Sequence, residues 1–273
     1  MSPRGERRRE SFDTVAELYH AGRPPYPASV VDTVVHALGV VPGTRVLEIG
    51  CGTGRFSVEL CRAGAELLAV ELGPNLARLA REHLAAYPGA HVVTAPFEDW
   101  PLPAEPFDGA CAATAFHWLD AAAAFDKCAA ALRPGGALAI VHAHHVRGGT
   151  EAFFSGAQSL YVRYGLSDEP DFEPPETVDV PPLYPELDEH PAFEDVRRPR
   201  IDVDTDFDTA AHIAMLRTDS LVLSLEEPAR RAFLEEMALL IDRRHGGRVS
   251  RAYCYEIVTA RRIASPGRAP TPG

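Results

Sequence analysis

The stretch Val46-Leu47-Glu48-Ile49-Gly50-Cys51-Gly52-Thr53-Gly54 decides the fold. An apolar run ends here in a glycine-rich turn, and a helix-like pattern follows from Arg55. A buried strand that leads into a turn and then a helix is typical of the carboxyl edge of an α/β sheet, where such folds bind nucleotide-like ligands. Gly50 and Gly52 allow positive φ and let the backbone approach a ligand without a Cβ in the way.

The glycine spacing separates this turn from a dinucleotide fingerprint. The turn has the pattern G-x-G-x-G with Glu48 two residues before the first glycine, whereas the fingerprint has the pattern G-x-G-x-x-G. A carboxylate at Glu48 would repel a phosphate and attract an amino group. Glu71 ends the next apolar run, at a place where a carboxylate accepts hydrogen bonds from both ribose hydroxyls. These features predict an adenosyl-type ligand but do not choose between cofactors.

Strands and helices alternate through residues 45–141, which predicts an α/β fold with a doubly wound parallel sheet. The pattern changes after His145. Residues 165–191 hold nine acids, seven prolines and no Lys or Arg, and such a long irregular insertion is typical of a lid or substrate loop. Residues 193–203 are expected to form one strand. Residues 224–227, Ser-Leu-Glu-Glu, have the pattern of a capping box at the start of a helix.

Composition limits the classes of function. The chain has 273 residues and a net charge of −12, and an acidic protein is unsuited to broad nucleic-acid binding. No apolar stretch approaches the roughly 18 residues that a membrane-spanning helix needs. Five cysteines without framework spacing predict reduced thiols and a cytoplasmic protein. We expect disordered tails at residues 1–10 and 264–273, and the sequence leaves monomer and homodimer open.

Several motifs, taken in order, resemble class I S-adenosylmethionine-dependent methyltransferases, in particular the methyltransferase type 11 group with its trans-aconitate methyltransferase-like proteins. They are Val46 to Gly54, Glu71, Phe107-Asp108, Phe116-His117-Trp118 and Leu132-Arg133-Pro134-Gly135-Gly136. The resemblance implies a Rossmann-like sheet of seven strands, mostly parallel with an antiparallel last strand, plus an inserted cap. The implied domain spans residues 11–263, with a cofactor half at 11–145 and the acceptor cap and last strands at 146–263.

The resemblance also implies which residues hold S-adenosylmethionine. Glu48 and Gly50 would face the methionyl amino group, and Glu71 would bind the ribose. Pro96 stands where many relatives have an aspartate, so the adenine contact is expected from Glu98 or from backbone groups. The implied cofactor residues are Tyr19, Arg23, Glu48, Gly50, Cys51, Gly52, Glu71, Leu72, Phe97, Glu98, Ala113 and Thr114. For Tyr19 and Arg23, a lid over the cofactor and simple docking of the first helix both stay open.

The implied function is transfer of a methyl group to a small organic acceptor, on oxygen or nitrogen, with release of S-adenosylhomocysteine. His117, Trp118 and His144 are the expected acceptor-pocket residues, and His117 is the candidate base, with a packing role beside Trp118 as the alternative. Histidines 142, 144 and 145 cluster, but no acid or cysteine accompanies them at ligand spacing, so no metal is expected. Two alternatives remain: a non-catalytic S-adenosylmethionine- or partner-binding protein of the same fold, and a nicotinamide-dependent oxidoreductase, which the glycine spacing disfavours.

Overall fold

The computed structural model describes residues 12–264, and within them eight strands form one sheet. The strands are β1 (Arg45–Ile49), β2 (Glu66–Glu71), β3 (Ala90–Thr94), β4 (Phe107–Ala113), β5 (Leu132–Val146), β6 (Phe193–Arg197), β7 (Arg200–Asp208) and β8 (Arg248–Arg262). The α-helices are α1 (Ala16–Gly22), α2 (Ala28–Leu38), α3 (Arg55–Arg62), α4 (Pro74–His83), α5 (Ala121–Ala131), α6 (Glu151–Arg163), α7 (Thr209–Leu216), α8 (Ser220–Leu223) and α9 (Glu227–His245). Short 3-10 helices lie at Phe116–Trp118, Thr177–Asp179 and Pro185–Glu189.

The strand order is β3-β2-β1-β4-β5-β8-β6, and β7 also pairs with β8. Strands β1 to β5 are parallel, and β8 is antiparallel to β5. The order reverses between β1 and β4, which is where open α/β sheets bind ligands beyond the carboxyl ends of their strands. The expected Rossmann-like sheet with an antiparallel last strand is confirmed.

The sheet has eight strands instead of the expected seven because the sixth strand is interrupted. β6 and β7 lie along the same strand, β8: Arg197 pairs with Thr259, and Arg200 pairs with Glu256. Pro199 lies in the gap and has no N–H to donate to a ladder, although its carbonyl still accepts from Ile257 N at 2.9 Å. The single strand expected over residues 193–203 is therefore two strands, and the second continues to Asp208.

Apolar residues alternate between the two faces of the sheet. Leu47 and Ile49 of β1 pack in one cluster with Phe125 of α5, whereas Val46 packs in the opposite cluster with Phe56 of α3. This alternation follows from the two-residue period of a strand. The sheet is thus covered on both faces, and its carboxyl edge stays available to a ligand.

The expected cap lies between β5 and β8 along the chain, and it has its own core. Helices α6, α7 and α9 contribute Phe153, Met215, Phe233 and Met237 to a separate buried cluster. The expected capping box is wrong: the residue before α9 is Glu226, it makes no side-chain cap hydrogen bond, and Pro228 lies in the first turn. The Ser224 hydroxyl instead donates to Leu221 O at 2.5 Å.

Two further expectations concern the ends of the chain and membranes. The predicted disordered tails lie outside the described residues, except for Ala264. Across residues 12–264, every helix is too short or too polar to cross a lipid bilayer.

Candidate active site

A cavity of about 400 Å³ lies at the carboxyl ends of β1, β2 and β4. It occupies the point where the strand order reverses, as the sequence predicted from the glycine-rich turn. All of the predicted site residues except Glu98 and His144 line this cavity, which we call the cofactor cavity.

The glycine-rich turn forms the floor of the cofactor cavity. Gly50 has φ of +67°, and a Cβ there would lie 2.6 Å from the Ala115 Cβ. Gly52 has φ of +57°, and a Cβ there would meet no atom of residues 12–264 within 4 Å. A side chain at Gly50 would therefore clash with the protein, whereas one at Gly52 would occupy space that a ligand can use.

Glu71 connects the glycine-rich turn to the turn that follows β2. Its carboxylate accepts from Gly52 N at 2.8 Å and from Gly73 N at 2.9 Å, and the residue is only 7% exposed. Each carboxylate oxygen can accept more than one hydrogen bond, so Glu71 retains the capacity to bind ligand hydroxyls at the cavity wall.

Glu48 is a buried carboxyl at the end of β1. It is 1% exposed, and its Oε2 accepts from the Ser57 hydroxyl at 2.5 Å. Burial raises the pKa of Glu48 to about 7, with a further contribution from the charge of Glu71, while the Ser57 hydrogen bond opposes the rise. Glu48 and Glu71 thus place two carboxyl groups close together in a buried site. They favour a cationic ligand group, because a cation offsets both the burial of the carboxylates and their mutual repulsion.

Helix α1 is attached to both halves of the chain. The Arg23 Nε and Nη2 donate to the Thr218 hydroxyl and carbonyl, each at 3.0 Å, and the Arg23 guanidinium lies 5.3 Å from the Tyr19 ring centroid. On the other side, His20 Nδ1 lies 3.0 Å from Thr53 Oγ1 in the glycine-rich turn. The helix therefore connects the cap to the turn while Tyr19 and Arg23 line the cavity.

Replacing Arg23 with alanine should loosen α1. Loss of the two Thr218 hydrogen bonds and the Tyr19 contact should speed amide exchange in Ala16–Gly22 by about five- to tenfold. Hydrogen–deuterium exchange followed by mass spectrometry measures this change. Arg62→Ala, at an exposed arginine of α3, is the control, and unchanged exchange in α1 of the Arg23 variant would contradict the proposed connection.

Two histidines face each other across the open end of the cavity. The rings of His117 and His142 are 5.1 Å apart, and both residues line the cavity. Desolvation at the wall lowers the pKa of His117, and it lowers the pKa of His142 to about 4, with added repulsion from His117 and His144. Both rings are therefore neutral at pH 7, and each has a ring nitrogen that can accept a hydrogen bond.

Thr114, which also lines the cofactor cavity, has an unusual backbone conformation. It has φ of +53° although it is not glycine, and its hydroxyl lies 2.8 Å from the Tyr26 hydroxyl. Strained backbone conformations of this kind cluster at active sites and ligand-binding sites, and the hydroxyl contact holds Tyr26 against the end of β4.

Comparison with known proteins agrees with this geometry. Residues 46–136 match a family described as a methyltransferase domain. The chain is 34% identical over 131 residues to an uncharacterized methyltransferase of Mycobacterium tuberculosis, a match that covers 48% of this chain and 51% of the relative. Residues 46–136 thus match a methyltransferase domain, in agreement with the resemblance to class I S-adenosylmethionine-dependent methyltransferases. The trans-aconitate methyltransferase-like subgroup stays a prediction.

Two more comparisons concern another curated protein and a solved structure. The chain is 43% identical over 101 residues to a ubiquinone biosynthesis O-methyltransferase of Xylella fastidiosa, covering 35% of this chain and 40% of that protein. Thus the chain spans about half the length, or less, of these two curated relatives. A solved structure from Anaeromyxobacter dehalogenans, provisionally described as a type II methyltransferase, has a TM-score of 0.61 and 23% identity, with 88% of this chain and 98% of that chain covered. That likeness shows the shared fold.

Glu98 and His144 were expected at the site, but neither residue lines the cofactor cavity. Glu98 is exposed, and its carbonyl accepts from Lys127 Nζ at 2.8 Å, whereas the neighbouring Phe97 is buried at the cavity. His144 is two residues beyond His142 along β5, so it lies past the cavity, with its Nε2 3.4 Å from the buried carboxylate of Glu256. The fold therefore places His142, instead of His144, beside His117.

The structure adds cavity residues that the sequence analysis did not select. They are Tyr26, Arg55, His142, Met215, Tyr253 and Tyr255, among others. Arg55 directly follows the glycine-rich turn and Tyr26 lies three residues after Arg23, so both could have been found from their position in the sequence. Met215, Tyr253 and Tyr255 come from α7 and β8, and only the folding of the cap over the sheet brings them to the site. Across residues 12–264, no cluster of three or more His, Cys, Asp or Glu side chains is arranged to hold a metal ion.

Proposed function

We propose that this chain transfers the methyl group of S-adenosylmethionine to a small organic acceptor, on oxygen or nitrogen, and releases S-adenosylhomocysteine. The observation that carries the proposal is one cavity that combines the glycine-rich turn, two buried carboxyl groups and a pair of neutral histidines. The family assignment supports the same cofactor.

The residues present suit the chemistry of this cofactor. Glu71 has the position and acceptor capacity to bind ribose hydroxyls, and the apolar side chains of Leu72 and Phe97 offer a surface for adenine. Glu48 would accept from the ammonium group, which would favour its charged form. Arg55 has a buried Nε without a hydrogen-bond partner among residues 12–264, and it is suited to the methionyl carboxylate.

The acceptor end of the cavity can orient a nucleophile and exclude water. When bound, S-adenosylmethionine supplies an electrophilic methyl group on sulfur, which an acceptor displaces in line. An acceptor oxygen or nitrogen gains from a base that removes its proton, and neutral His117 can take that role, with His142 beside it. Tyr26, Met215 and Tyr253 line the same space, and their apolar surfaces help to keep water from the reacting atoms.

Calorimetric titration of the full chain with S-adenosylhomocysteine and, separately, with NAD tests the cofactor. We expect micromolar binding of S-adenosylhomocysteine and no heat with NAD, because Glu48 and the short glycine spacing disfavour a pyrophosphate. Binding of NAD instead would favour the oxidoreductase alternative, and binding of neither would contradict the proposed cofactor site.

A second experiment separates catalysis from binding alone. The chain is incubated with S-adenosylmethionine labelled in its methyl group and a library of small hydroxylated and aminated molecules, and labelled products are detected by mass spectrometry. Transfer to at least one acceptor is the expected result. Tight cofactor binding without transfer to any member would favour the non-catalytic alternative.

A further inference from the structure

A second cavity, of about 320 Å³, lies inside the cap. It is enclosed by α6, α7 and α9, by the ends of β5 and β8, and by part of the acidic insertion. Its walls are largely apolar and aromatic, with Phe153, Phe154, Ala157, Leu166 and Leu221 among the lining residues. We call it the cap cavity. Its size is within the usual range for small-molecule sites, which begins at about 300 Å³.

The cap cavity contains a cation that lacks a carboxylate partner. Arg251 lines it, and the Arg251 Nε is buried without a hydrogen-bond partner among residues 12–264. The closest polar contact recorded for the guanidinium is Nη1 to Met215 Sδ at 3.9 Å, and the group also lies 5.8 Å from the Phe154 ring centroid. Arg251 is half-buried, and a guanidinium whose Nε is buried without a partner favours an anionic ligand.

Nearby carboxylates do not neutralise Arg251. The Asp219 carboxylate is used at the start of α8, where it accepts from Leu221 N at 2.9 Å and from Val222 N at 3.4 Å. Glu169 lies on the exposed rim of the cavity, and its carbonyl accepts from Gln158 Nε2. Among the described residues, neither carboxylate forms an ion pair with Arg251 within 4.0 Å.

Two buried histidines complete the polar groups of the cap cavity. His212 is 2% exposed, and His212 Nδ1 and His145 Nε2 lack hydrogen-bond partners among residues 12–264. Burial, with repulsion from Arg251, lowers the pKa of each histidine to about 3. Both rings are therefore neutral at pH 7, and Arg251 is the positive charge of the cavity, with unused ring nitrogens beside it.

We propose that the cap cavity binds the apolar body of an organic carboxylate, with Arg251 as the counter-ion, and that this carboxylate is the methyl acceptor or part of it. The apolar walls define the body of the ligand, and the guanidinium and ring nitrogens define its anionic end. The identification of the ligand as the acceptor rests on the proposed function, whereas the binding of a carboxylate does not.

The two cavities share a wall, which is why the cap cavity is suited to the acceptor. Met215 and Tyr253 line the cofactor cavity, and Met215 Sδ lies 3.7 Å from the Tyr253 hydroxyl and 3.9 Å from Arg251 Nη1. Ser220 lines the cofactor cavity, and the next residue, Leu221, lines the cap cavity. A ligand held by Arg251 is therefore one side chain from the cofactor, and that side chain is a flexible methionine.

The test is calorimetric titration of the full chain, saturated with S-adenosylhomocysteine, with 3-phenylpropionate and with its uncharged analogue 3-phenylpropanamide. We expect the acid to bind at least about tenfold more tightly than the amide, the size of a charge-assisted hydrogen bond. Arg251→Gln should abolish this preference. Arg248→Gln, at an exposed arginine of the same strand, should keep it.

The comparison of acid and amide on the unaltered chain does not depend on how any variant folds. Equal binding of the two probes, absence of binding by both, or a preference that persists in Arg251→Gln would overturn the proposal. If S-adenosylhomocysteine binds but the acid has no advantage, only the cap-cavity proposal fails. If the acid binds preferentially to a chain that does not bind S-adenosylhomocysteine, the carboxylate site stands and the proposed function fails.

Discussion

Replacing Glu71 with alanine should weaken binding of S-adenosylhomocysteine by roughly 1.5–3 kcal/mol, which is about a ten- to hundredfold rise in Kd. The carboxylate is 7% exposed at the cavity wall, and it holds Gly52 N and Gly73 N. Alanine would remove the acceptor proposed for the ribose and would also leave these two amides without their partner. Calorimetry gives the change in affinity, and thermal unfolding gives the change in stability.

A matched variant and a shortened ligand separate these effects. Glu66→Ala removes an exposed carboxylate at the start of the same strand, and we expect affinity within twofold of the parent chain. 5′-Methylthioadenosine has the ribose and adenine but not the amino-acid portion, so Glu71→Ala should weaken it as much as S-adenosylhomocysteine. An unchanged Kd for both ligands, in a variant that still folds, would reject Glu71 as the ribose acceptor.

The part of the site that could be predicted is the part that lies in local patterns. Gly50 and Gly52 lie in the turn after β1, and Glu71 ends β2, so strand periodicity and turn chemistry are enough to place them at one edge of the sheet. The parallel pairing of β1 with β2 then brings Glu71 to the glycine-rich turn. These positions depend on residues within the same βαβ unit.

The errors in the fold came from local patterns that a neighbouring element overrides. Pro199 interrupts the ladder to β8, so residues 193–208 form two strands along one partner. Ser224 has the spacing of a capping residue, but its hydroxyl bonds the last turn of α8, and α9 begins after Glu226. A capping pattern that follows directly on another helix can serve the helix before it.

The site residues that were missed depend on contacts between distant parts of the chain. The choice of His142 over His144 depends on how far β5 extends past the cavity beside β8, which the histidine cluster does not show. Arg251 has no distinguishing feature in a sequence with 26 arginines and one lysine. Arg251 is a candidate ligand-binding residue because its Nε is buried at an apolar cavity and has no hydrogen-bond partner among residues 12–264. That environment depends on the folding of the cap and cannot be inferred from the sequence.

Replacing Glu48 with glutamine should stabilise the ligand-free chain at pH 8 while weakening its hold on S-adenosylhomocysteine. Burial raises the pKa of Glu48 from 4.5 to about 7. Between these two pH values the folded chain retains a proton that the unfolded chain has released, so stability falls as the pH rises through this window. Above pH 7 the destabilisation amounts to about 3 kcal/mol, and an uncharged glutamine should recover up to that amount. At pH 4.5 or below, the gain should vanish.

The affinity for S-adenosylhomocysteine should depend on pH in the direction opposite to the stability of the ligand-free chain. The ionised Glu48 carboxylate is the proposed partner of the ammonium group, so affinity of the parent chain for S-adenosylhomocysteine should fall by up to about tenfold per pH unit below pH 7. Glu48→Gln should bind more weakly at pH 8 and lose this pH dependence. 5′-Methylthioadenosine, which lacks the ammonium group, should bind both chains alike.

Glu66→Gln, at an exposed carboxylate, should change neither stability nor affinity. Denaturant unfolding and calorimetry at pH 6 and pH 8 measure both effects. A Glu48→Gln chain that is no more stable at pH 8 would show that Glu48 carries no buried charge. One that is stabilised but binds normally would show that the ammonium group lies elsewhere.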